Sequence, residues 1–292
     1  MKSPIVDELR YKVFKSGNPL FLFIGLNVIV FLVINLVALF EFILNTGGFL
    51  SSFMQLQLAL PASLGDLVYK PWTLITYMFT QREFFHMLFN MLWLFWLGRI
   101  FLEFLNKRQF IFTYIAGGLA GAITFLILYN TLPVFAGDIH RSVLIGASAS
   151  VTAIIVSSAV LVPHYSIRLL FFGNVKIVYL AIAFIVLSLL GIGGDNSGGN
   201  IAHLGGALLG YLYITRLNKG SDWSTWFTRK KKKHPFKVYK NKAPVSPERS
   251  SSDQAYIDSI LDKILQSGYK SLTKAEKDAL FNASKEDKGK YK

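Results

Sequence analysis

The stretch VLIGASASVTAIIVSSAVLV, Val143 to Val162, contains no charged residue. Its length is about that needed for a helix to cross a hydrocarbon core. Yet it opens on Gly146-Ala147-Ser148-Ala149-Ser150, with a hydroxyl near its start. A serine in an apolar span either bonds its own helix and is idle, or serves as a nucleophile. The rest of the chain has to decide between these readings.

Composition sets the frame. The 292 residues are 52% hydrophobic and only 16% charged, yet the formal net charge is +14. Few charges with a large cationic surplus point to a membrane protein with basic flanks. There is no cysteine, which removes disulfides, thiol nucleophiles and Cys-based metal sites. Six apolar stretches read as spans: Leu20–Leu44, Phe84–Leu105, Phe110–Tyr129, Val143–Val162, Val175–Gly191 and Ile201–Leu217. The first is too long for a signal-peptide core and reads as a retained helix. The segment 45–82 is interrupted by Pro61 and Pro71, so it is expected to lie in the interface or fold back on the bundle.

Lysine and arginine set the orientation. One side receives Lys2, Arg10, Lys12, Lys15, Lys107, Arg108, Arg168, Lys176, Arg216, Lys219 and the run Arg229-Lys230-Lys231-Lys232-Lys233. The other receives Lys70, Arg82 and Arg141. Both termini are therefore expected in the cytoplasm. The expected fold class is an all-α membrane protein: a six-transmembrane-helix bundle plus a short soluble helical hairpin. It divides into a cytosolic arm (1–19), a six-span domain (20–218), a basic run and linker (219–252) and a small helical domain (253–292). The basic run is expected to contact anionic lipid rather than nucleic acid, because it sits just inside a span. In the tail, Ile257, Ile260, Leu261, Ile264 and Leu265 form an apolar helix face, Gly268 can end that helix, and Thr273 with Glu276 makes a capping box for the next.

Polar residues inside spans are costly and so informative. His86 and Asn90, four apart, share a face of span two. Ser148 opens span four and His203 opens span six. With the orientation above, all four lie at one depth near the external face. Gly206 and Gly210 give span six a small face, and Ala149 and Ala153 give one to span four, so these helices are expected to meet closely. An imidazole near a serine can take its proton while the hydroxyl attacks a carbonyl. His86, Asn90 and backbone N–H groups at the start of span four can hold the resulting oxyanion.

With these motifs, His86-Met-Leu-Phe-Asn90, Gly146-Ala-Ser148 and Ala202-His203-Leu-Gly-Gly206 with Gly210, the sequence resembles the rhomboid family of intramembrane serine proteases. The resemblance covers roughly residues 21–217. It implies a serine endopeptidase that hydrolyses transmembrane protein substrates with a dyad, Ser148 as nucleophile and His203 as base, and with His86 and Asn90 in the oxyanion hole. It implies no cofactor, and a multi-pass protein of the bacterial inner membrane. Pro71-Trp72 matches the family's first-loop motif, but Thr73 stands where many members have Arg. Ala149 and Thr152 stand where many have Gly and an aromatic that packs on the imidazole. Glu103 lies near the position of a structural acidic residue. The tail resembles a small helical domain behind some bacterial rhomboids.

Blander readings stand beside these. Ser150, Ser157 and Ser158 are expected to bond their own helix backbone, and Asn27 and Asn35 to join helices. His140, His164 and His234 lie in loops. A metal held by His86 and His203 would lack a carboxylate, so no metal is expected. Two other functions remain open: a non-catalytic relative that binds membrane clients, and a small-molecule transporter, for which the chain shows no internal repeat.

Overall fold

A computed structural model describes residues 4–169, 173–226 and 251–288. The chain divides into two compact units, Met1–Arg229 and Lys230–Lys292. The basic run Arg229–Lys233 and the linker that follows it lie outside the described residues.

The first unit is an all-α membrane bundle. A short helix α1 (Pro4–Arg10) precedes α2 (Pro19–Ile43), whose start is capped by the Asn18 side chain with Pro19 at its first position. A long loop follows, carrying α3 (Phe49–Leu58), β1 (Leu60–Pro61), α4 (Leu64–Tyr69) and α5 (Thr73–Thr76). Next come α6 (Phe84–Phe104) and α7 (Lys107–Thr131), joined at Asn106, which forms a capping box with Gln109. Then follow β2 (Val143–Leu144), α8 (Ser148–Leu161), the hairpin β3 (Ser166–Leu169) and β4 (Gly173–Lys176), α9 (Ile177–Leu190) and α10 (Ser197–Asn218).

Of these, α2, α6 and α7 are long and apolar enough to cross a membrane. The other expected spans differ from their sequence reading. The fourth does not begin at Val143: Val143 and Leu144 pair antiparallel with Pro61 and Leu60, and the helix starts only at Ser148. The fifth loses Val175 and Lys176 to the β3–β4 ladder and starts at Ile177. Both helices have 14 residues. For α8 the reason is its surroundings, since 12 of its 14 residues are buried. A helix walled by protein has no lipid thickness to match.

Glycine brings the walls close. On α7, a Cβ at Gly117 would overlap the Ala153 side chain, and one at Gly121 would lie 2.6 Å from Ala149 Cβ and 2.8 Å from Ala202 O. Thus α7 wedges against both α8 and α10 through the small-residue packing that membrane helices favour. Ser157 and Ser158 do not bond their own helix. Ser157 donates to Gly210 O at 3.2 Å and Ser158 to Leu97 O at 3.4 Å, while Ser150 Oγ has no hydrogen-bond partner among the described residues. Close packing brings foreign carbonyls within reach of these short hydroxyls. Such bonds average about 0.6 kcal/mol in membranes. Asn35 also departs from expectation, donating to Phe31 O of its own helix.

The loop between α2 and α6 folds back on the bundle, one of its two expected courses. Ala59, Leu60, Ala62, Tyr77 and Met78 are fully or almost fully buried. Glu41, near the end of α2, turns the chain by accepting from Leu50 N at 2.6 Å and Ser51 N at 2.9 Å, which caps α3. Trp72 Nε1 donates to Gln57 O and Thr76 Oγ1 to Leu58 O, both at 2.8 Å. At the opposite end of α7, Arg108 and Gln109 donate to Asp222, just past α10, and Tyr213 does too. Burial alone would push the Asp222 carboxyl up, but hydrogen bonds from Ser224, Tyr213 and Arg108 hold it below the ordinary carboxylate range.

The second unit contains α11 (Ser251–Ser267) and α12 (Lys274–Lys288). Gly268, at φ 75°, follows α11, and its N–H bonds to Ile264 O. Thr273 and Glu276 exchange capping bonds. Lys263 and Thr273 together hold the Glu276 carboxyl down at about 2. The apolar face is narrower than expected: Ile260 is buried, whereas Leu261 and Leu265 are exposed. A hairpin of two helices buries one stripe of α11, and these two leucines lie off it.

Candidate functional site

Ser148 is the first residue of α8 and is buried. Its N-cap residue, Ala147, makes no side-chain capping bond, and the first N–H groups of a helix have no acceptor within it. The chain enters through Gly146 at φ 118°, a region open to glycine and strained for other residues. Gly146 N donates to Tyr77 O at 2.9 Å, fixing the turn against the long loop. The bare face of Gly146 is also where three side chains converge. A Cβ placed there would lie 3.6 Å from Ser148 Oγ, 3.7 Å from His86 Cε1 and 3.8 Å from Gln81 Oε1.

His86 sits in the first turn of α6, partly exposed, and Asn90 one turn on is buried. Asn90 Nδ2 lies 3.5 Å from Gln81 Oε1, at the limit of a hydrogen bond. Gln81 Nε2 donates to Asn27 Oδ1 at 3.0 Å, and Asn27 Nδ2 donates to Tyr114 OH at 3.1 Å. A buried polar chain therefore runs from α6 through the loop to α2 and α7.

His203 is buried on α10, against α8 and α9. Three residues later, a Cβ at Gly206 would overlap Ala149 O, and one at Gly210 would lie 2.5 Å from Ala153 O. These two glycines seat α10 on α8 beside the residue that follows Ser148. His203 and Ser148 do not hydrogen bond to each other: His203 Nε2 has no hydrogen-bond partner among the described residues. The ring instead packs on Phe184 of α9, with centroids 5.3 Å apart, and its Nδ1 lies 3.1 Å from Ser188 Oγ. Thr152 does not take the place of a ring; its hydroxyl donates to Ser148 O at 2.7 Å. Thr73 is buried and bonds Lys70 O within the loop.

Gln81, Phe184 and Ser188 were not singled out by sequence. A loop glutamine and a serine in an apolar run carry no periodic signal. Gly117 and Gly121 did carry one, the small-xxx-small spacing on α7. Glu103 is exposed and lines a groove of about 830 Å³ with Trp96, Arg99, Tyr165 and Arg168, none of them a candidate site residue. Among the described residues no group of three or more His, Cys, Asp or Glu could hold a metal ion.

A family model described as the rhomboid domain matches residues 69–219, which contain Ser148, His203, His86 and Asn90. The chain belongs to the rhomboid family. This rhomboid is 32% identical over 158 residues to "RHOMBOID-like protein 12, mitochondrial" of Arabidopsis thaliana. The match covers 51% of this chain and 47% of the relative, so the chain spans about half the length of that curated protein. A second family model, for a family of unknown function (DUF6576), matches residues 248–286 of the tail.

Proposed function

We propose that this rhomboid is an intramembrane serine endopeptidase in which Ser148 is the nucleophile and His203 the general base. The observation that carries this reading is the setting of Ser148. It is a buried hydroxyl at an uncapped helix start, with His86 and Gln81 around the same glycine and α10 seated on the next residue. In the reaction Ser148 Oγ bonds to the carbonyl carbon of a transmembrane substrate while its proton passes to His203 Nε2. Asn90, His86 and the N–H groups at the start of α8 stabilise the oxyanion. On collapse the C–N bond breaks, the leaving amine takes the proton from His203, and a water activated by the same imidazole releases the acyl group. A serine-directed fluorophosphonate, followed by peptide mapping, tests this: the label is expected on Ser148 alone, and a folded protein that takes none would refute the enzyme reading.

One observation favours a second reading, a client-binding protein without catalysis: the dyad hydrogen bond is not formed. Catalytic hydrogen bonds often tighten only with substrate bound, so the first reading stands ahead.

Asn90→Ala is expected to retain more activity than loss of the nucleophile. A single oxyanion donor is worth about 10²–10³ in rate in soluble enzymes, and other donors remain. Steady-state turnover of a model substrate in detergent checks this; a folded Asn90→Ala variant as inactive as one lacking the serine would contradict the donor role.

The same reading puts both termini in the cytoplasm of a bacterium, the catalytic unit in the inner membrane, and Arg229–Lys233 on anionic lipid. The charge count supports this orientation; reporter fusions at Asn130 and Asn218 test it. Truncation after Lys233 is expected to leave insertion and generic turnover close to those of the full chain, because every candidate residue lies before it. Side-by-side turnover in liposomes is the measurement. A well-inserted but inactive truncation would make the tail part of the catalytic unit.

A further inference from the structure

The sequence leaves α9 outside the site, yet one of its hydroxyls touches the imidazole. Ser188 is 4% exposed. Its Oγ lies 3.1 Å from His203 Nδ1 and 2.9 Å from Phe184 O, one turn back on its own helix. A hydroxyl has one proton to give and lone pairs to receive. The Phe184 carbonyl can only accept, so that contact is a hydrogen bond only if the Ser188 proton points to it. The contact with Nδ1 must then run the other way, with Nδ1–H donating to Oγ. A neutral imidazole has one N–H, which leaves Nε2 with a bare lone pair. The alternative gives up a contact. If Ser188 donated to Nδ1, its proton could no longer point to Phe184 O. Nε2 has no partner among the described residues in either tautomer, so the Phe184 contact is what separates them.

We propose that Ser188 is a positioning residue that selects the Nδ1–H tautomer of His203 and keeps Nε2 as the proton acceptor. The proposal rests on the protease reading for its purpose. In soluble triads an aspartate fixes the tautomer. Within a membrane an ionised carboxylate is expensive, and a hydroxyl satisfied by its own helix performs the same selection without a charge. The Phe184 ring, tilted 47° to the imidazole, bounds the ring's other freedom of movement. Ser188 thus supplies the polar contact and Phe184 the packing contact, both from α9.

The test uses the full chain, with ¹⁵N-labelled histidine, in micelles. Ring-nitrogen shifts report the tautomer of His203, assigned by the signals missing from His203→Ala. Wild type is expected to carry Nδ1–H. Ser188→Ala is expected to lose that preference and to turn over about 10–100-fold more slowly, the scale seen when the partner that orients a metal-bound histidine is lost, with KM unchanged. Ser188→Thr, which keeps the hydroxyl, is expected to restore both. Should the alanine variant fail to insert, Ser188→Cys, a weaker partner, is expected to show the same losses in milder form. Nε2–H in wild type overturns the proposal, and so does a Ser188→Ala variant with tautomer and turnover unchanged. A wild type that carries Nδ1–H but never labels with fluorophosphonate supports the tautomer assignment and overturns the protease reading instead.

Discussion

Ser148→Ala is expected to abolish cleavage of a transmembrane substrate, while Ser150→Ala retains much of it. The two hydroxyls are two residues apart and both buried, so neither hydropathy nor burial separates them. Their settings do. Ser148 Oγ lies by the bare face of Gly146 with His86 and Gln81, at the start of α8, where the first N–H groups have no acceptor within the helix. Ser150 Oγ faces α7, where a Cβ at Gly118 would meet it at 2.6 Å. In a soluble serine protease, loss of the nucleophile lowers turnover by about 10⁶; an effect of that order would take cleavage below detection. Cleavage in detergent, with folding monitored by thermal melting, is the measurement. Wild-type rates from the Ser148 variant would end the assignment.

His203→Ala is expected to be as damaging. A nucleophile and its base act as one unit, so the double variant Ser148→Ala/His203→Ala should be no slower than either single one. A purely structural histidine predicts another pattern: reduced stability with turnover falling only in step with the folded fraction. The alanine leaves a cavity beside Phe184 and frees Ser188 Oγ to bond only its own helix, so some loss of stability is expected in either case. The rate per folded molecule therefore decides. Measured by single-turnover kinetics, a His203→Ala protein that keeps a tenth or more of wild-type activity would remove this residue from the chemistry.

How much of this was open to a reader of the sequence follows from the range of each interaction. Apolar runs are local, and they located α2, α6 and α7 to within a few residues. The glycines at 206 and 210 and the alanines at 149 and 153 are also local patterns, and the structure packs these same residues together. What escaped was set by partners distant in the chain. The pairing of Leu60 with Leu144 removes five residues from the start of the fourth span, and nothing between Val143 and Ala147 announces it. Ser157 and Ser158 find their acceptors on α10 and α6, through a closeness no single segment encodes. Gln81 matters through Asn27 and Asn90, 54 and 9 residues away. The tail shows the same limit, since Leu261 and Leu265 fit a helical period but only one stripe is covered.

The shortness of α8 has a consequence for where water and substrate must meet. Fourteen residues of helix reach about 21 Å, against a hydrocarbon core of about 30 Å. Such a helix cannot have both ends at the membrane surfaces. On the protease reading proposed above, the recessed end is the one that carries Ser148, its first residue, and a substrate peptide bond would have to descend below the rim to reach that hydroxyl. Hydrolysis there would require polar walls, and partly exposed His86 with buried Asn90 and Gln81 are the side chains that would form them.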